Sequence, residues 1–120
     1  MNIGDASFRS GVSAKMIRYY EQIGLLGPVP RTAAGHRHYG RQELDWVNFI
    51  KRLKATEMPL RDILRYAELR QQGERTLLER QALLAEHAER LAQRLREQQG
   101  HLTALQEKIS FYQQQLANNA

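Results

Sequence analysis

Residues 11–26 have the sequence GVSAKMIRYYEQIGLL. Ser13 is a good N-cap for a helix over residues 14–22, and Gly24 suits a left-handed cap after that helix. The residues before Gly11 predict another short helix, and glycine suits the tight turn between the two because it readily adopts a positive φ. Two short helices joined by such a turn form a helix-turn-helix pattern, which many small helical domains share.

The segment that follows changes character. Residues 27–30 (GPVP) cannot be helical, because proline lacks the N–H that a helix needs. Residues 31–39, here called the wing, predict a short β-hairpin closed by a loop that contains Gly35. Such an element can follow a DNA backbone beside a helix in the groove. The alternative is an exposed polar turn.

Residues 41–71 return to a helical pattern. Gly40 can serve as an N-cap, with Glu43 three positions on, as in a capping box that lacks its Ser or Thr. Pro59 stops this helix and can open the next one at its first position. Gly73 marks a break before the last section.

Residues 76–116 carry a heptad repeat in which ten of twelve seam positions are apolar, Gln81 and Gln98 being the exceptions. A repeat sustained this long is strong evidence for a coiled coil. The helix would be on the order of 60 Å long, too long for the preceding residues to cover its apolar stripe, so it predicts a homodimer. The predicted dimer contacts are Leu77, Leu84, Ala88, Leu91, Leu95, Leu102, Leu105, Ile109 and Tyr112.

The predicted organisation is therefore a DNA-binding domain over residues 1–75, a dimerisation helix over 76–116 and a frayed tail over 117–120. Residues 1–75 hold 13 Lys or Arg against 8 Asp or Glu, whereas residues 76–120 hold 5 against 5. A concentrated basic excess favours nucleic acid as a partner before an anionic membrane surface. The alternative is a solvated cationic surface.

Several functional classes are disfavoured by composition. The chain has no cysteine, which excludes disulfides, zinc-thiolate sites and cysteine nucleophiles. It contains no nucleophile–base pair, carboxylate pair or phosphate-binding loop, so we expect no enzyme, cofactor or metal. No apolar run approaches about 18 residues and no signal pattern begins the chain, so we expect a cytoplasmic protein without a membrane span. His87 and His101 are expected on the surface.

The candidate DNA-binding residues lie on the second helix and on the wing. On the helix, Lys15 and Arg18 can reach phosphates or guanine, and Tyr19 or Tyr20 can donate to phosphates. The other interpretation makes the two cations solvated and the tyrosines part of the core. The complete candidate set is Ser13, Lys15, Arg18, Tyr19, Tyr20, Arg31, His36, Arg37 and Tyr39. His36 and His38 share one strand face and could chelate a metal, but contact with phosphates is the preferred reading.

The order of these residues resembles the MerR family of transcriptional regulators over nearly the whole chain. The motif IRYYE followed by GLL and an Arg-x-Tyr wing is the most specific part. The segments that carry the resemblance are IGDA at 3–6, GVS at 11–13, IRYYE at 17–21, GLL at 24–26, RT at 31–32, GHRHY at 35–39 and MPL at 58–60.

The resemblance implies a mainly α fold, with a winged helix-turn-helix head followed by a long helix that pairs in an antiparallel coiled coil. It implies a homodimer that binds a pseudo-palindromic operator in an over-long promoter spacer. Such a dimer bends and untwists the DNA, so that RNA polymerase meets realigned promoter elements. The candidate residues above are then its DNA contacts, with His36 and His38 at wing positions that vary in the family.

The chain also departs from the family pattern. Its metal and superoxide sensors use cysteines, which are absent here, and its drug sensors add an effector domain after the coiled coil, where this sequence stops. The short form is most similar to the aldehyde- and electrophile-responsive branch, but lacks that branch's cysteine. No residue pattern identifies a small-molecule inducer. The alternatives are a sequence-neutral architectural DNA-binding protein and a coiled-coil adaptor whose head binds protein.

Overall fold

The computed structural model describes residues 1–120 and contains five α-helices and one 3₁₀ turn. The helices are α1 (Ile3–Ser10), α2 (Ala14–Gln22), α3 (Arg41–Ala55), α4 (Leu60–Gln71) and α5 (Leu77–Asn118), with the 3₁₀ turn at Gly73–Thr76. The chain divides into two compact units, Met1–Leu83 and Leu84–Ala120. The mainly α class predicted from the sequence is confirmed.

Local capping explains why α1 and α2 form where they do. The Asn2 side chain accepts a hydrogen bond from the backbone N–H of Asp5 at 2.9 Å, and the Ser13 hydroxyl accepts one from the N–H of Met16 at 3.1 Å. Both bonds satisfy N–H groups that a helix start leaves unpaired. Gly11 ends α1 with φ 72°. The prediction of a helix over residues 14–22 is confirmed, as is the left-handed Gly24, whose φ is 88°.

The core of the first unit lies between these helices, α3 and α4. Ile17, Leu25 and Ile50 are each completely buried. The Trp46 indole N–H donates to the carbonyl of Leu25 at 2.7 Å. That bond ties the turn after α2 to α3, so the position of α2 is set by packing and by a buried hydrogen bond together.

The wing is shorter than the β-hairpin predicted from the sequence. It contains no strand, only a single antiparallel bridge between Arg31 and Arg37. The turn between them is closed by the Thr32 N–H, which donates to the His36 carbonyl at 2.7 Å. Pro30, the residue before Arg31, has no N–H to donate to a ladder. The two arms are also too short to form one.

The junction of α3 and α4 also differs from expectation. The first helix ends at Ala55, before Pro59, and the turn between them places Glu57 at φ 63°. Pro59 is the N-cap of α4 rather than its first helical residue. Its carbonyl accepts from the N–H groups of Asp62 and Ile63 at 2.9 and 3.1 Å, which a capping residue with extended ψ allows.

The second unit consists of α5 from Leu84 onwards. Gly100 does not interrupt the helix. Most predicted seam side chains are exposed, Leu95 by 61% and Leu105 by 63%, whereas Leu84 and Leu91 are half-buried. His87 is 5% exposed, so the expectation that it lies on the surface was wrong: the heptad identifies the seam but does not say which other positions are covered. His101 is exposed as expected. None of the helices is long and apolar enough to cross a membrane.

Candidate nucleic-acid interface

Helix α2 presents a cationic outer face. Lys15, Arg18 and Tyr19 are exposed, whereas Ile17 and Tyr20 belong to the core with 0% and 3% exposure. The 100° rotation per residue explains this division, because residues 17 and 20 lie on one face and their neighbours on the other. The exposed side chains are the ones that a partner in a groove could meet.

Ser13 lies at the N-terminal end of α2 with its side chain already engaged. Its hydroxyl caps the helix through the Met16 N–H, yet the residue is exposed. A hydroxyl that accepts one hydrogen bond keeps its own hydrogen as a donor. Ser13 can therefore cap the helix and donate to a phosphate at the same time.

The wing adds three exposed basic side chains, Arg31, His36 and Arg37. The Arg31 guanidinium folds over the turn and donates to the Gly35 carbonyl at 2.9 Å. His38, also exposed, lies 3.1 Å from the Met1 nitrogen through its Nδ1. Among the side chains of Arg31, His36 and His38, only that of His36 has no protein partner.

Arg37 is held by a carboxylate on α2. Its Nε donates to the Glu21 carboxylate, with Nε–Oε1 and Nε–Oε2 distances of 2.8 and 2.7 Å. The hydrogen bond and the charge of Glu21 raise the pKa of the Arg37 guanidinium above its ordinary value. The pair joins the wing to α2 and neutralises one of the cations that the sequence assigned to DNA.

Tyr39 lies beneath this pair. It is completely buried, and its backbone N–H donates to the Met1 carbonyl at 2.7 Å. Burial is the main cause that raises the pKa of the Tyr39 hydroxyl, and Glu21 raises it further, whereas Arg37, Arg18 and Arg31 lower it. The hydroxyl therefore stays protonated at neutral pH, and it has no hydrogen-bond partner in the structure.

Arg18 and Arg37 line one cleft of ≈ 360 Å³ between α2 and the wing, and Glu21 and Gln22 complete its lining. This cleft brings residues of the two predicted DNA-binding elements together. Glu21 and Arg37, which meet in this cleft, are 16 positions apart in the chain.

Two predicted contacts offer almost no surface in this conformation. Tyr20 is 3% exposed and supports the Lys54 ammonium, which lies 5.4 Å from its ring centroid. Tyr39 has 0% exposure. Both aromatic rings belong to the core that carries the cationic face, in line with the core interpretation that the sequence left open for the helix tyrosines.

Sequence reasoning missed three side chains that shape this surface. Glu21 had no assigned role, although it sits in the IRYYE motif. Lys51 donates to the Ser10 carbonyl at 3.1 Å and so caps the end of α1, while Lys54 stacks on Tyr20. The spacing of the two lysines on α3 was the available signal, since residues three apart share a helix face.

Comparison with known proteins gives a consistent result. A family model described as MerR HTH family regulatory protein matches residues 1–69, and another described as MerR, DNA binding, matches residues 44–110. The HTH-type transcriptional regulator PA4778 of Pseudomonas aeruginosa is 36% identical over 113 residues, which cover 94% of this chain and 86% of that protein.

Two solved structures are similar over most of their length. A MerR family transcriptional regulator from Listeria monocytogenes has a TM-score of 0.88 at 38% identity, covering 93% of this chain and 85% of that one. HiNmlR, a MerR family regulator lacking the sensor domain and solved bound to promoter DNA, has a TM-score of 0.82 at 33% identity, covering 94% and 90%.

Proposed function

Because the chain belongs to the MerR family of helix-turn-helix transcriptional regulators, we propose that it binds a pseudo-palindromic operator as a homodimer. The operator would lie in an over-long promoter spacer, and the dimer would distort that DNA to control transcription by RNA polymerase. With promoter DNA as its partner, the protein would act in the bacterial cytoplasm.

One observation carries the DNA-binding part of this proposal: the cleft that Arg18 of α2 and Arg37 of the wing line together. The unpartnered Tyr39 hydroxyl lies within the electrostatic reach of both arginines. A phosphate oxygen accepts hydrogen bonds and attracts guanidinium groups. A small shift that uncovers the hydroxyl would let one phosphate satisfy it, which makes this cleft the proposed backbone anchor.

The exposed residues of α2 would then enter the major groove. In a helix-turn-helix protein the N-terminal residues of the second helix meet base edges, and here those are Ser13 and Lys15. Arg18 and Tyr19 lie one turn further along, where phosphate contact is expected. The wing residues Arg31 and His36 would follow the backbone beside the groove. That HiNmlR was solved bound to promoter DNA supports this arrangement.

The dimer part of the proposal rests on the exposed seam of α5. Leu95, Leu102 and Ile109 are 61%, 46% and 55% exposed, and they share one heptad position. A regularly spaced apolar stripe of this length in water favours association with a second helix. We place the two helices antiparallel, as the resemblance to the family implies, and the two-fold axis of such a pair matches the symmetry of a pseudo-palindrome.

The rival is a sequence-neutral architectural protein, which the basic charge of the first unit also fits. The two differ in their ratio of specific to non-specific affinity, because phosphate contacts alone give little preference among sequences. DNA distortion is common to both, so bending by itself does not separate them.

The test compares two variants that remove the same charge. Arg18→Ala should weaken binding to the selected operator by roughly 1–3 kcal/mol if Arg18 makes a close phosphate or base contact. Arg75→Ala, at an exposed position of the 3₁₀ turn, is the matched control and should bind almost as the unchanged protein does. Fluorescence anisotropy at one fixed salt concentration measures both. Equal affinities for the two variants would remove Arg18 from the interface.

A further inference from the structure

The contact between Arg37 and Glu21 occupies only one edge of the guanidinium. The Arg37 Nε–H is shared by the two carboxylate oxygens, with N–O distances of 2.8 and 2.7 Å. Neither Nη group of Arg37 donates a hydrogen bond within the protein, and the side chain is 44% exposed. Because a guanidinium carries five N–H donors in one plane, the Nη edge is available to a partner outside the protein.

The backbone on both sides of this contact is fixed. Arg37 forms the antiparallel bridge with Arg31, and Tyr39, two positions on, is completely buried. Glu21 lies in the last turn of α2, where its carbonyl accepts from the Gly24 N–H at 3.2 Å. The Nη edge of Arg37 is therefore held in one orientation and does not move as the end of a flexible side chain.

Glu21 pairs with Arg37 although another arginine is closer in the chain. Arg18 lies three positions before Glu21 on α2, a spacing at which helix side chains can pair. The structure nevertheless contains no ion pair between them, and the Glu21 carboxylate contacts Arg37. The cleft that these residues line together thus contains one oriented arginine, Arg37, and one arginine without an ion pair, Arg18.

An oriented arginine and a flexible one respond differently to DNA. A flexible cation can reach a phosphate on almost any backbone, so it adds affinity for every sequence. A guanidinium that is already held loses less conformational freedom on binding, but it bonds only to a phosphate that lies in the right place. The positions of the phosphates depend on the path of the DNA, which varies with sequence and deformability. An oriented Arg37 therefore contributes to indirect readout.

The charge of Glu21 acts against DNA that does not fit. Where no phosphate reaches the Nη edge of Arg37, the carboxylate offsets the charge of that arginine and repels the DNA backbone. Where a phosphate does reach it, the guanidinium bonds to both anions through different edges. A difference in affinity between two DNA sequences can arise from the favourable contact and from the repulsion together.

We infer that Glu21 is a specificity-determining residue of the DNA interface: it orients Arg37 for one phosphate position in the operator and penalises DNA that does not supply that phosphate. This inference rests on the proposed sequence-specific DNA binding. It gives an acidic side chain within a basic surface a favourable effect on operator binding, which charge alone would not predict.

The test measures the affinity of the full-length protein for two duplexes of equal length, the selected operator and a random sequence, by fluorescence anisotropy at one salt concentration. Glu21→Ala should weaken operator binding by about threefold to tenfold, because Arg37 is no longer oriented. It should strengthen binding to the random sequence by about twofold, because a surface carboxylate is lost. Effects of opposite sign on the two duplexes are the expected result.

Two further variants separate orientation from charge. Glu21→Gln keeps an oxygen that can accept the Arg37 Nε–H but removes the charge. It should keep operator affinity within about twofold of the unchanged protein and still strengthen random-sequence binding. Glu74→Ala, at an exposed position of the 3₁₀ turn, is the matched control and should leave the ratio of the two affinities unchanged. Thermal unfolding followed by circular dichroism checks that each variant is folded.

The possible failures are distinguishable. Equal weakening of both duplexes by Glu21→Ala would show that the pair only holds the wing, and strengthening of both would show that Glu21 only repels DNA. Either result would overturn the inference and leave sequence-specific binding standing. A Glu21→Gln variant that loses as much operator affinity as Glu21→Ala would also overturn the orienting role. Equal affinity of the unchanged protein for the two duplexes would contradict the proposed function, and the inference with it.

Discussion

The Arg37 guanidinium and the Glu21 carboxylate lie 2.7 Å apart and connect the wing to the helix that it flanks. The two side chains are partly exposed, by 44% and 21%, so the isolated pair contributes little to folding stability. Its importance is positional, because the wing has a single β bridge and no ladder to hold it. The pair also keeps an acidic group on a surface that is otherwise basic.

Removing both members of this pair should weaken operator binding less than removing Arg37 alone. Arg37→Ala should weaken operator binding by about 1–2 kcal/mol, because it removes a cation and leaves the Glu21 carboxylate facing the phosphates. The double variant Glu21→Ala with Arg37→Ala removes that repulsion and should recover part of the loss. Anisotropy titrations of the four members of the cycle measure the coupling. A double variant that binds as weakly as Arg37→Ala, or more weakly, would show that Glu21 does not oppose DNA.

Tyr39→Phe should weaken operator binding without lowering the free energy of unfolding. The buried hydroxyl has no partner in the free protein, and an unsatisfied buried polar group is destabilising by about 1–3 kcal/mol. Removing it should leave the free energy of unfolding unchanged or slightly raised, while operator binding weakens by about 0.5–1.5 kcal/mol if the hydroxyl donates to a phosphate. Chemical denaturation and anisotropy provide the two readouts. Unchanged binding would mean that the hydroxyl stays buried in the complex.

Ser13 can be tested for its two roles separately. Ser13→Ala removes the cap of α2 and should lower the free energy of unfolding by about 0.5–2 kcal/mol, whereas Ser13→Asp keeps a capping oxygen and should retain stability. The aspartate would nevertheless place a negative charge near the phosphates and should weaken DNA binding. Ser110→Ala, at an exposed position in the interior of α5, is the control. An aspartate variant that binds as well as the unchanged protein would place Ser13 outside the interface.

Leu95→Asp tests the seam of α5. In a dimer the change buries an unpaired charge in both chains, which is strongly unfavourable, so the protein should become monomeric at micromolar concentration. Gln93→Asp adds the same charge at an exposed position outside the seam and should leave the dimer intact. Sedimentation equilibrium measures both. A Leu95→Asp variant that remains dimeric would place the seam on another face of the helix.

The sequence predicted the elements that are determined by residues close to them in the chain. The bounds of α2 follow from Ser13 and Gly24, which act within a few residues of the helix ends. The wing was predicted as a hairpin because a loop that contains Gly35 separates its two arms, but the extent of β pairing depends on how two short arms meet, and only one bridge forms.

The parts that the sequence did not predict depend on contacts between distant residues. Glu21 and Arg37 are 16 positions apart, and nothing in the spacing of either residue indicates the pair. The burial of Tyr39 depends on where the chain start and α2 pack, and that of His87 on a face that the heptad does not define. The rotation of 100° per residue puts Tyr20 on the same face of α2 as Ile17, but only the packed structure shows that both are covered.

The most direct test of the central claim is selection of genomic DNA fragments by the purified protein, followed by footprinting at physiological salt. The account predicts a protected pseudo-palindromic site inside an over-long promoter spacer. Uniform weak protection without a preferred site would contradict it and would favour the sequence-neutral architectural protein.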